Sequence, residues 1–198
     1  SGQPAADRAA TGPAAGTVDR AGTASGQQGD QEGHVTDPAL EQYFLCATDK
    51  IELIVTAAGI RPTDRVVEAG AGAGTVAARL PAHAGLVLVE LDDAWAAHLA
   101  LAFPAATVIR GDARAVLPEL AFDVLLGNLP AAVTEDLLPG LDGIAFRAAV
   151  LALDPGTDLD ALRDRFDVRH VTELRPDDFR PRQPGRSVVV RLTHRDPA

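Results

Sequence analysis

Short β-rich runs alternate with helical stretches over most of the chain, and this alternation constrains the fold more than any other feature. Runs rich in Val, Leu and Ile predict five strands, at residues 65–69, 86–90, 107–110, 122–127 and 148–153. Helical stretches lie between or after them, at residues 75–80, 92–103, 134–138 and 158–166. Strands that alternate with helices predict an α/β fold with a parallel sheet covered on both faces, and ligands at the carboxyl ends of the strands.

The last part of the chain departs from this alternation. Residues 168–174 and 187–194 form two β-rich runs with no helical stretch between them, and a loop rich in Pro and Arg joins them. Two such runs predict an antiparallel pair at the edge of the sheet. The complete prediction is a parallel sheet of five strands with an antiparallel C-terminal strand pair.

The first part of the chain differs from the rest in composition. Val18 is the only larger aliphatic residue among residues 1–33, which are mainly Ala, Gly, Gln, Thr, Ser and Pro. Such a segment buries too little apolar surface to offset the entropy lost on ordering. Residues 1–35 are therefore predicted to form a disordered tail, and residues 36–198 the folded domain. In that domain Tyr43 and Phe44 belong to a predicted helix that starts near Pro38, and Gly59 is predicted to end the next helix.

Charge and cysteine content restrict the classes of function. Lys and Arg number 18 against 28 Asp and Glu, a formal charge of −10, which disfavours general binding to nucleic-acid phosphates. Cys46 is the single cysteine and no Cys/His cluster has zinc spacing, so neither a disulfide nor a metal is predicted. No apolar run reaches the roughly 18 residues that a membrane-spanning helix requires. These features predict a soluble, cytoplasmic protein without a membrane partner.

A glycine-rich turn follows the first predicted strand. Its sequence is Glu68-Ala69-Gly70-Ala71-Gly72-Ala73-Gly74, and small residues at alternate positions let a backbone approach a ligand closely. A phosphate-binding loop would need Gly-Lys-Ser/Thr, which is absent, and dinucleotide spacing would need a third glycine where Thr75 stands. Neither nucleotide-binding motif fits this turn.

Acidic residues end the next two predicted strands. Glu90 ends the second, twenty positions after Gly70, where a carboxylate can accept hydrogen bonds from both hydroxyls of a ribose. Asp112 follows the third, and its side chain can accept a hydrogen bond from the exocyclic amine of adenine. Because the carboxyl ends of parallel strands share one edge of a sheet, both acids and the glycine turn are predicted to form one site.

The fourth predicted strand is followed by Gly127-Asn128-Leu129-Pro130-Ala131, and this segment makes a family comparison specific. Residues 42–192 resemble the ribosomal RNA adenine N6-methyltransferases, which include the dimethyladenosine transferases and the erythromycin-resistance methyltransferases. The family's Gln-Asn-Phe-Leu is matched by Gln42-Tyr43-Phe44-Leu45, its glycine turn by residues 68–74, and its Asn-Leu-Pro-Tyr by residues 128–131. The resemblance implies a Rossmann-like class I methyltransferase fold and S-adenosylmethionine (SAM) as cofactor.

The resemblance also implies roles for individual residues. It places the acceptor nitrogen at Asn128, Leu129 and Pro130, where carbonyl oxygens can accept N–H bonds and leave the nitrogen lone pair aimed at the methyl group. The residues implied to contact SAM are Tyr43, Leu45, Glu68, Gly70, Gly72, Gly74, Glu90, Asp112 and Asn128.

Three departures from the family bear on the substrate. The aromatic residue that stacks on the target adenine in the family is here Ala131, which removes a contact worth about 1–3 kcal/mol; Phe179 is predicted to substitute for it. The family's helical C-terminal domain has no counterpart in this sequence. The net negative charge opposes RNA, although the loop before the last predicted strand holds an arginine cluster, formed by Arg175, Arg180, Arg182 and Arg186. Of these, Arg180 and Arg182 are predicted to line the substrate site with Ala131 and Phe179.

These departures leave three functions open. The first is transfer of a methyl group from SAM to a nitrogen of a small molecule or peptide, as in antibiotic biosynthesis. The second is N6-methylation of adenine in RNA, as in rRNA modification or antibiotic resistance. The third is a SAM-binding protein without methyl transfer, acting as a partner subunit or in another reaction. The sequence favours the first and predicts no oligomeric state.

Overall fold

The structure is a computed structural model that describes residues 42–195. The predicted tail, its boundary at residue 36 and the predicted helix start at Pro38 lie outside this range. The strands of the described residues are β1 (Phe44–Leu45), β2 (Arg65–Ala69), β3 (Gly85–Glu90), β4 (Thr107–Arg110), β5 (Val124–Gly127), β6 (Ala148–Leu153), β7 (Phe166–Leu174), β8 (Phe179–Arg180) and β9 (Ser187–His194). The helices are α1 (Thr48–Ala58), α2 (Asp93–Ala102), α3 (Ala113–Val116), α4 (Ala131–Leu137) and α5 (Leu159–Arg163).

Seven of these strands form one sheet in the order β4-β3-β2-β5-β6-β9-β7. Strands β2 to β6 run parallel to one another, whereas β9 runs antiparallel to both β6 and β7. The predicted α/β fold, with its parallel sheet and antiparallel C-terminal pair, is confirmed. The carboxyl ends of β2, β3, β4 and β5 consequently lie side by side at one edge.

Both faces of the sheet are covered, as the apolar character of the central strands requires. Val66 of β2 packs into a core layer with Ile51 and Ile54 of α1. The next residue, Val67, packs on the other face with Leu117 and with Leu137 of α4. Every residue of β6 is buried, so this strand contributes to both layers.

Two local predictions are wrong. Phe44 belongs to strand β1 and not to a helix, because its backbone pairs with Arg180 of β8 while the following Leu45 enters the core. Residues 75–80 form only a short 3₁₀ turn at Ala77–Arg79, because β-branched Thr75 and Val76 follow a glycine-rich turn and Pro81 stops the segment. By contrast, Gly59 ends α1 in a left-handed conformation with φ of 58°, as predicted.

Candidate functional site

The carboxyl ends of β2 to β5 surround one cavity, here called the strand-end cavity. Eight of the nine residues that the sequence assigned to a cofactor line it. They are Tyr43, Leu45, Glu68, Gly70, Gly72, Glu90, Asp112 and Asn128. Residues far apart in the chain thus meet where a parallel sheet binds its ligands.

The glycine turn forms one wall of the strand-end cavity. Gly70 has φ of 71°, and a Cβ there would lie 2.6 Å from Cδ2 of Leu129. Gly72 has φ of 51°, and a Cβ there would lie 2.8 Å from the Phe44 ring. A side chain at either position would meet both backbone strain and a steric clash. The turn therefore carries no side chain at these two positions, and Leu129 and Phe44, which also line the cavity, pack against its backbone.

Gly74, the ninth residue, does not line this cavity. Its φ is 74°, and a Cβ there would clash with the ring of Phe103. Glycine is therefore required at position 74 for a reason other than the predicted cofactor contact. The requirement comes from the packing of α2 and the residue after it against the turn.

Glu90 connects β3 to the glycine turn. The Gly72 amide donates to its Oε2 at 2.7 Å, and the Asp92 amide donates to its Oε1 at 2.9 Å. These two bonds fix the carboxylate in the buried wall of the cavity. Each oxygen keeps a further lone pair, so the pair of hydroxyls on a ribose remains a suitable ligand.

Glu68 is the most strongly perturbed acid of the site. Burial, assisted by the negative charge of Glu90, raises the pKa of Glu68 to about 8, while the hydrogen bond from the Ala77 amide acts in the opposite direction. Its Oε2 is buried and accepts no hydrogen bond. A buried acceptor without a partner is costly. Near neutral pH the raised pKa leaves this carboxyl group mostly protonated, and a cationic group of a ligand beside it would favour its ionised form and pair with it.

Asp112 is engaged by a residue that the sequence did not single out. The Arg114 amide donates to its Oδ1 at 2.9 Å, and Nη2 of Arg114 lies 2.6 Å from its Oδ2. The hydrogen bond from Arg114 lowers the pKa of Asp112, against the effect of burial. Arg114 also bonds Asp136 of α4 at 2.7 Å. The predicted acceptor for adenine is thus an ion-paired carboxylate.

A second cavity, here called the loop cavity, adjoins the first. Tyr43, Asn128, Leu129 and Pro130 line both cavities, whereas Ala131, the first residue of α4, lines only the loop cavity. The side chain of Asn128 makes no hydrogen bond with the described residues. Its amide is therefore available to a group that spans the two cavities.

The far wall of the loop cavity is polar. It includes Asp154 after β6 and Gln183 and Arg186 in the loop before β9. Asp154 and Gln183 were not identified from the sequence, because no motif marks them and only the antiparallel return of β9 beside β6 brings them together. Arg186 was visible only as part of the arginine cluster.

Three predicted substrate residues do not line the loop cavity. Phe179 has 1% of its surface exposed and packs in the core beside Leu45, so the prediction that it replaces the missing aromatic is wrong. Arg180 donates to the backbone carbonyls of Asp177 and Phe179. Arg182 forms an ion pair with Asp177 at 2.6 Å. Local acceptors hold both arginines in the loop.

Two other kinds of site are absent between residues 42 and 195. No group of His, Cys, Asp and Glu side chains in this part of the chain could hold a metal ion. No helix there is long and apolar enough to cross a membrane. The two cavities remain the candidate site.

Sequence comparisons identify relatives but no family model, since none matches the chain. A probable ribosomal RNA small subunit methyltransferase A of Methanosarcina mazei is 38% identical over 116 residues, covering 56% of this chain and 42% of the relative. A protein of the same description from Halobacterium salinarum is 33% identical over 183 residues, covering 81% of this chain and 64% of the relative. The chain thus spans between about two fifths and two thirds of the length of these relatives.

Solved structures support the same comparison. A dimethyladenosine transferase from Plasmodium falciparum superposes with a TM-score of 0.71 at 22% identity, covering 77% of this chain and 63% of that one. The 23S rRNA methyltransferase ErmE superposes with a TM-score of 0.69 at 20% identity, covering 77% and 70%. The resemblance predicted from the motifs is therefore confirmed: the chain has the Rossmann-like class I methyltransferase fold and is similar in sequence to ribosomal RNA small subunit methyltransferases A.

Proposed function

We propose that the strand-end cavity binds SAM. Three features of the cavity suit this cofactor. The Glu90 carboxylate suits the ribose, the turn without side chains at Gly70 and Gly72 suits the amino-acid end, and the unpartnered Oε2 of Glu68 suits its cationic amine. When bound, SAM supplies an electrophilic methyl group on a sulfonium.

The chain's own contribution to methyl transfer lies at Asn128, Leu129 and Pro130. The side-chain carbonyl of Asn128 and the backbone carbonyl of Leu129 accept N–H bonds from the acceptor, which leaves the nitrogen lone pair directed toward the strand-end cavity. The nitrogen held there would take the methyl group as the C–S bond of bound SAM breaks, leaving a neutral thioether, and would then lose a proton to water. A neutral amine needs no general base for this displacement. The observation that carries the proposal is that these three residues line both cavities.

The acceptor that we propose first is an adenine N6 in RNA. The sequence alone favoured a small molecule or peptide, but the relatives and structural neighbours described above are named as methyltransferases of ribosomal RNA or adenosine. Because of these names, we place RNA before a small molecule or peptide as the methyl acceptor. The formal charge of −10 implies that any RNA contact is local and confined to the arginines near the loop cavity.

A small-molecule or peptide nitrogen is the second candidate. Ala131 leaves open the space that an aromatic side chain would fill, and Asp154 and Arg186 give the loop cavity groups of both charges. Such a lining suits a zwitterionic acceptor, such as an amino acid derivative, better than a flat base. This reading keeps the same cofactor and the same transfer chemistry.

One set of measurements separates these proposals. Calorimetry tests SAM binding, and transfer of a radiolabelled methyl group tests the acceptor, with a small-subunit rRNA hairpin, free amino acids and a peptide pool as alternatives over a salt series. We expect micromolar SAM affinity and label in the RNA as N6-methyladenosine. Label in the amino acid or peptide fraction alone would replace RNA by the second candidate. Binding of SAM without any transfer would leave only the SAM-binding function.

A further inference from the structure

The loop cavity contains one aromatic residue, although it is the cavity into which an acceptor must enter. Of its lining residues, Tyr43 alone carries an aromatic ring, and the others are aliphatic, small or polar. Tyr43 also lines the strand-end cavity. It therefore lies on the boundary at which an acceptor nitrogen would meet the methyl group.

The other aromatic side chains of the chain are used elsewhere. Phe44 packs on Trp95 with ring centroids 4.7 Å apart, and Phe146 packs on Phe166 at 5.9 Å. The remaining phenylalanines are Phe103, which contacts the turn at Gly74, and the buried Phe122 and Phe179. Tyr43 makes neither a ring contact nor a hydrogen bond with the described residues. Its half-buried side chain packs against the edge of the core layer that contains Leu45, so part of the ring stays exposed to the two cavities.

The backbone beside Tyr43 is fixed. The adjacent strand β1 pairs with β8, and the amides of Cys46 and Ala47 both donate to the Asp178 carbonyl, at 2.9 and 3.2 Å. Leu45 anchors the strand in the core with 2% of its surface exposed. A half-buried ring on a fixed backbone loses little entropy when it binds a flat partner.

We propose that Tyr43 is the stacking residue of the acceptor site, and that it gives the loop cavity its preference for a flat nucleobase. This inference rests on the proposed methyl transfer to adenine. Two positions differ in opposite senses from the family motifs quoted above: the ring at position 131 has become Ala131, and the Asn at position 43 has become Tyr43. Both residues line the loop cavity, so a ring at either position faces the same acceptor.

Binding is tested first, without turnover. Tyr43 is the only tyrosine of the chain, so labelling with 3-fluorotyrosine gives a single ¹⁹F resonance. Adenosine monophosphate, added to protein saturated with S-adenosylhomocysteine, should shift this resonance through the ring current of the base, whereas ribose 5-phosphate should not. An unshifted resonance at saturating nucleotide, or equal shifts with both probes, overturns the proposal.

Turnover on an adenosine-containing RNA hairpin is tested second. Because Tyr43 also lines the strand-end cavity, turnover is compared at saturating SAM, where Tyr43→Ala should lower kcat/KM for the hairpin about 5- to 150-fold, the range expected for one stacked base. Tyr43→Phe should retain wild-type kcat/KM, because the ring and not the hydroxyl makes the contact. Ala131→Tyr added to Tyr43→Ala should restore activity, and the matched control Ala131→Leu should not.

The outcomes distinguish this inference from the proposed function. Wild-type protein that methylates the hairpin while Tyr43→Ala is equally active overturns the stacking role and leaves the methyltransferase intact. A loss of SAM affinity in Tyr43→Ala with unchanged kcat/KM for the hairpin at saturating SAM assigns Tyr43 to the cofactor alone and also overturns it. Wild-type protein that shifts the ¹⁹F resonance with adenosine monophosphate but methylates no RNA supports the stacking role and refutes the RNA substrate.

Discussion

The two cavities of this chain differ in how closely they follow the family pattern. The strand-end cavity has all but one of the expected cofactor residues in its wall, and Glu90 and the glycine turn already bond to each other there. The loop cavity has Ala131 where the family has an aromatic residue, and Phe179 does not line it. Several of its polar lining residues belong to no sequence motif. One half of the site is therefore typical of its fold, and the other half is particular to this chain.

This difference follows from what each half must recognise. A cofactor of fixed structure requires the same hydroxyl, amine and backbone contacts in every protein that binds it, and the ends of parallel strands supply them. An acceptor requires only a nitrogen held behind the methyl group, and the rest of its pocket is free to vary. Substitutions at the boundary between the cavities, within each cavity and at the rim of the loop cavity should therefore change different quantities, namely kcat, the Kd for SAM or KM for the acceptor.

The largest expected effect is at the boundary of the cavities. Asn128→Ala should lower kcat on the order of 10²- to 10³-fold, because it removes a positioned carbonyl that holds the acceptor amine. The Kd for SAM should stay within a few-fold. Radiolabel transfer and calorimetry measure the two quantities.

A matched control uses the other amide of the site. Gln183 lines the loop cavity but not the strand-end cavity, and its Nε2 donates to the Gly185 carbonyl at 3.0 Å. Gln183→Ala should raise KM for the acceptor with little change in kcat. Equal losses of kcat in both variants would mean that Asn128 has no special position between the cavities.

The next effect is confined to the strand-end cavity. Glu90→Ala should raise the Kd for SAM about 10- to 100-fold, because a carboxylate that accepts from ribose hydroxyls makes charge-assisted bonds. The exposed Glu119 lies outside the lining of both cavities, so Glu119→Ala is the matched control for lost charge. Calorimetry at one salt concentration compares them, and an unchanged Kd in Glu90→Ala would show that the strand-end acid is misassigned.

Sequence reasoning predicted the strand-end cavity better than the loop cavity for a physical reason. Glu68 and Glu90 lie among the last two residues of β2 and β3, and Asp112 follows β4, so the local pattern of each strand already places its carboxylate at the common edge. The β1 strand was predicted as a helix, because its partner β8 is more than 130 residues away in the chain. Long-range pairing of this kind leaves no local periodicity.

The residues of the loop cavity show the same limit. Arg182 and Arg186 are four positions apart and look equivalent in the sequence, yet only Arg186 lines the cavity. The loop conformation decides this, since Arg182 pairs with Asp177 and Arg186 lies 3.9 Å from Glu173. Similarly, Arg114 bonds to Asp112 because of the backbone conformation at the start of α3. The amino-acid composition does not indicate that conformation.

A smaller effect concerns the pH dependence of stability. Glu68 has a pKa of about 8 in the folded protein, against an ordinary value of 4.5, because burial disfavours its charged form. The folded state then binds more protons than the unfolded state between these values, so stability is greatest at low pH in this window and falls as the pH rises toward 8, by up to about 1.4 kcal/mol per pH unit.

Glu68→Gln should remove this contribution. The difference in unfolding free energy between variant and wild type, measured by urea denaturation at pH 5, 6, 7 and 8, should grow in favour of the variant with rising pH. Saturating SAM should reduce the pH dependence of the wild type, since a cationic amine near Glu68 favours the carboxylate. A constant difference from pH 5 to pH 8 would show that Glu68 does not titrate in this window.

The smallest expected effect lies at the rim of the loop cavity. Arg186 is well exposed, with 66% of its side-chain surface accessible, and it lies 3.9 Å from Glu173, so any attraction to a substrate phosphate is weak and screened by salt. Arg186→Ala should raise KM for an RNA hairpin about 2- to 5-fold at low ionic strength, with kcat unchanged, and the difference should vanish at high salt. Arg182→Ala removes an equally exposed arginine of the same loop that lies outside the cavity lining, and should leave KM unchanged at every salt concentration. Equal effects of both substitutions would show that the loop attracts RNA by its overall charge. In that case, a position in the lining of the loop cavity would not make Arg186 more important for RNA binding than Arg182.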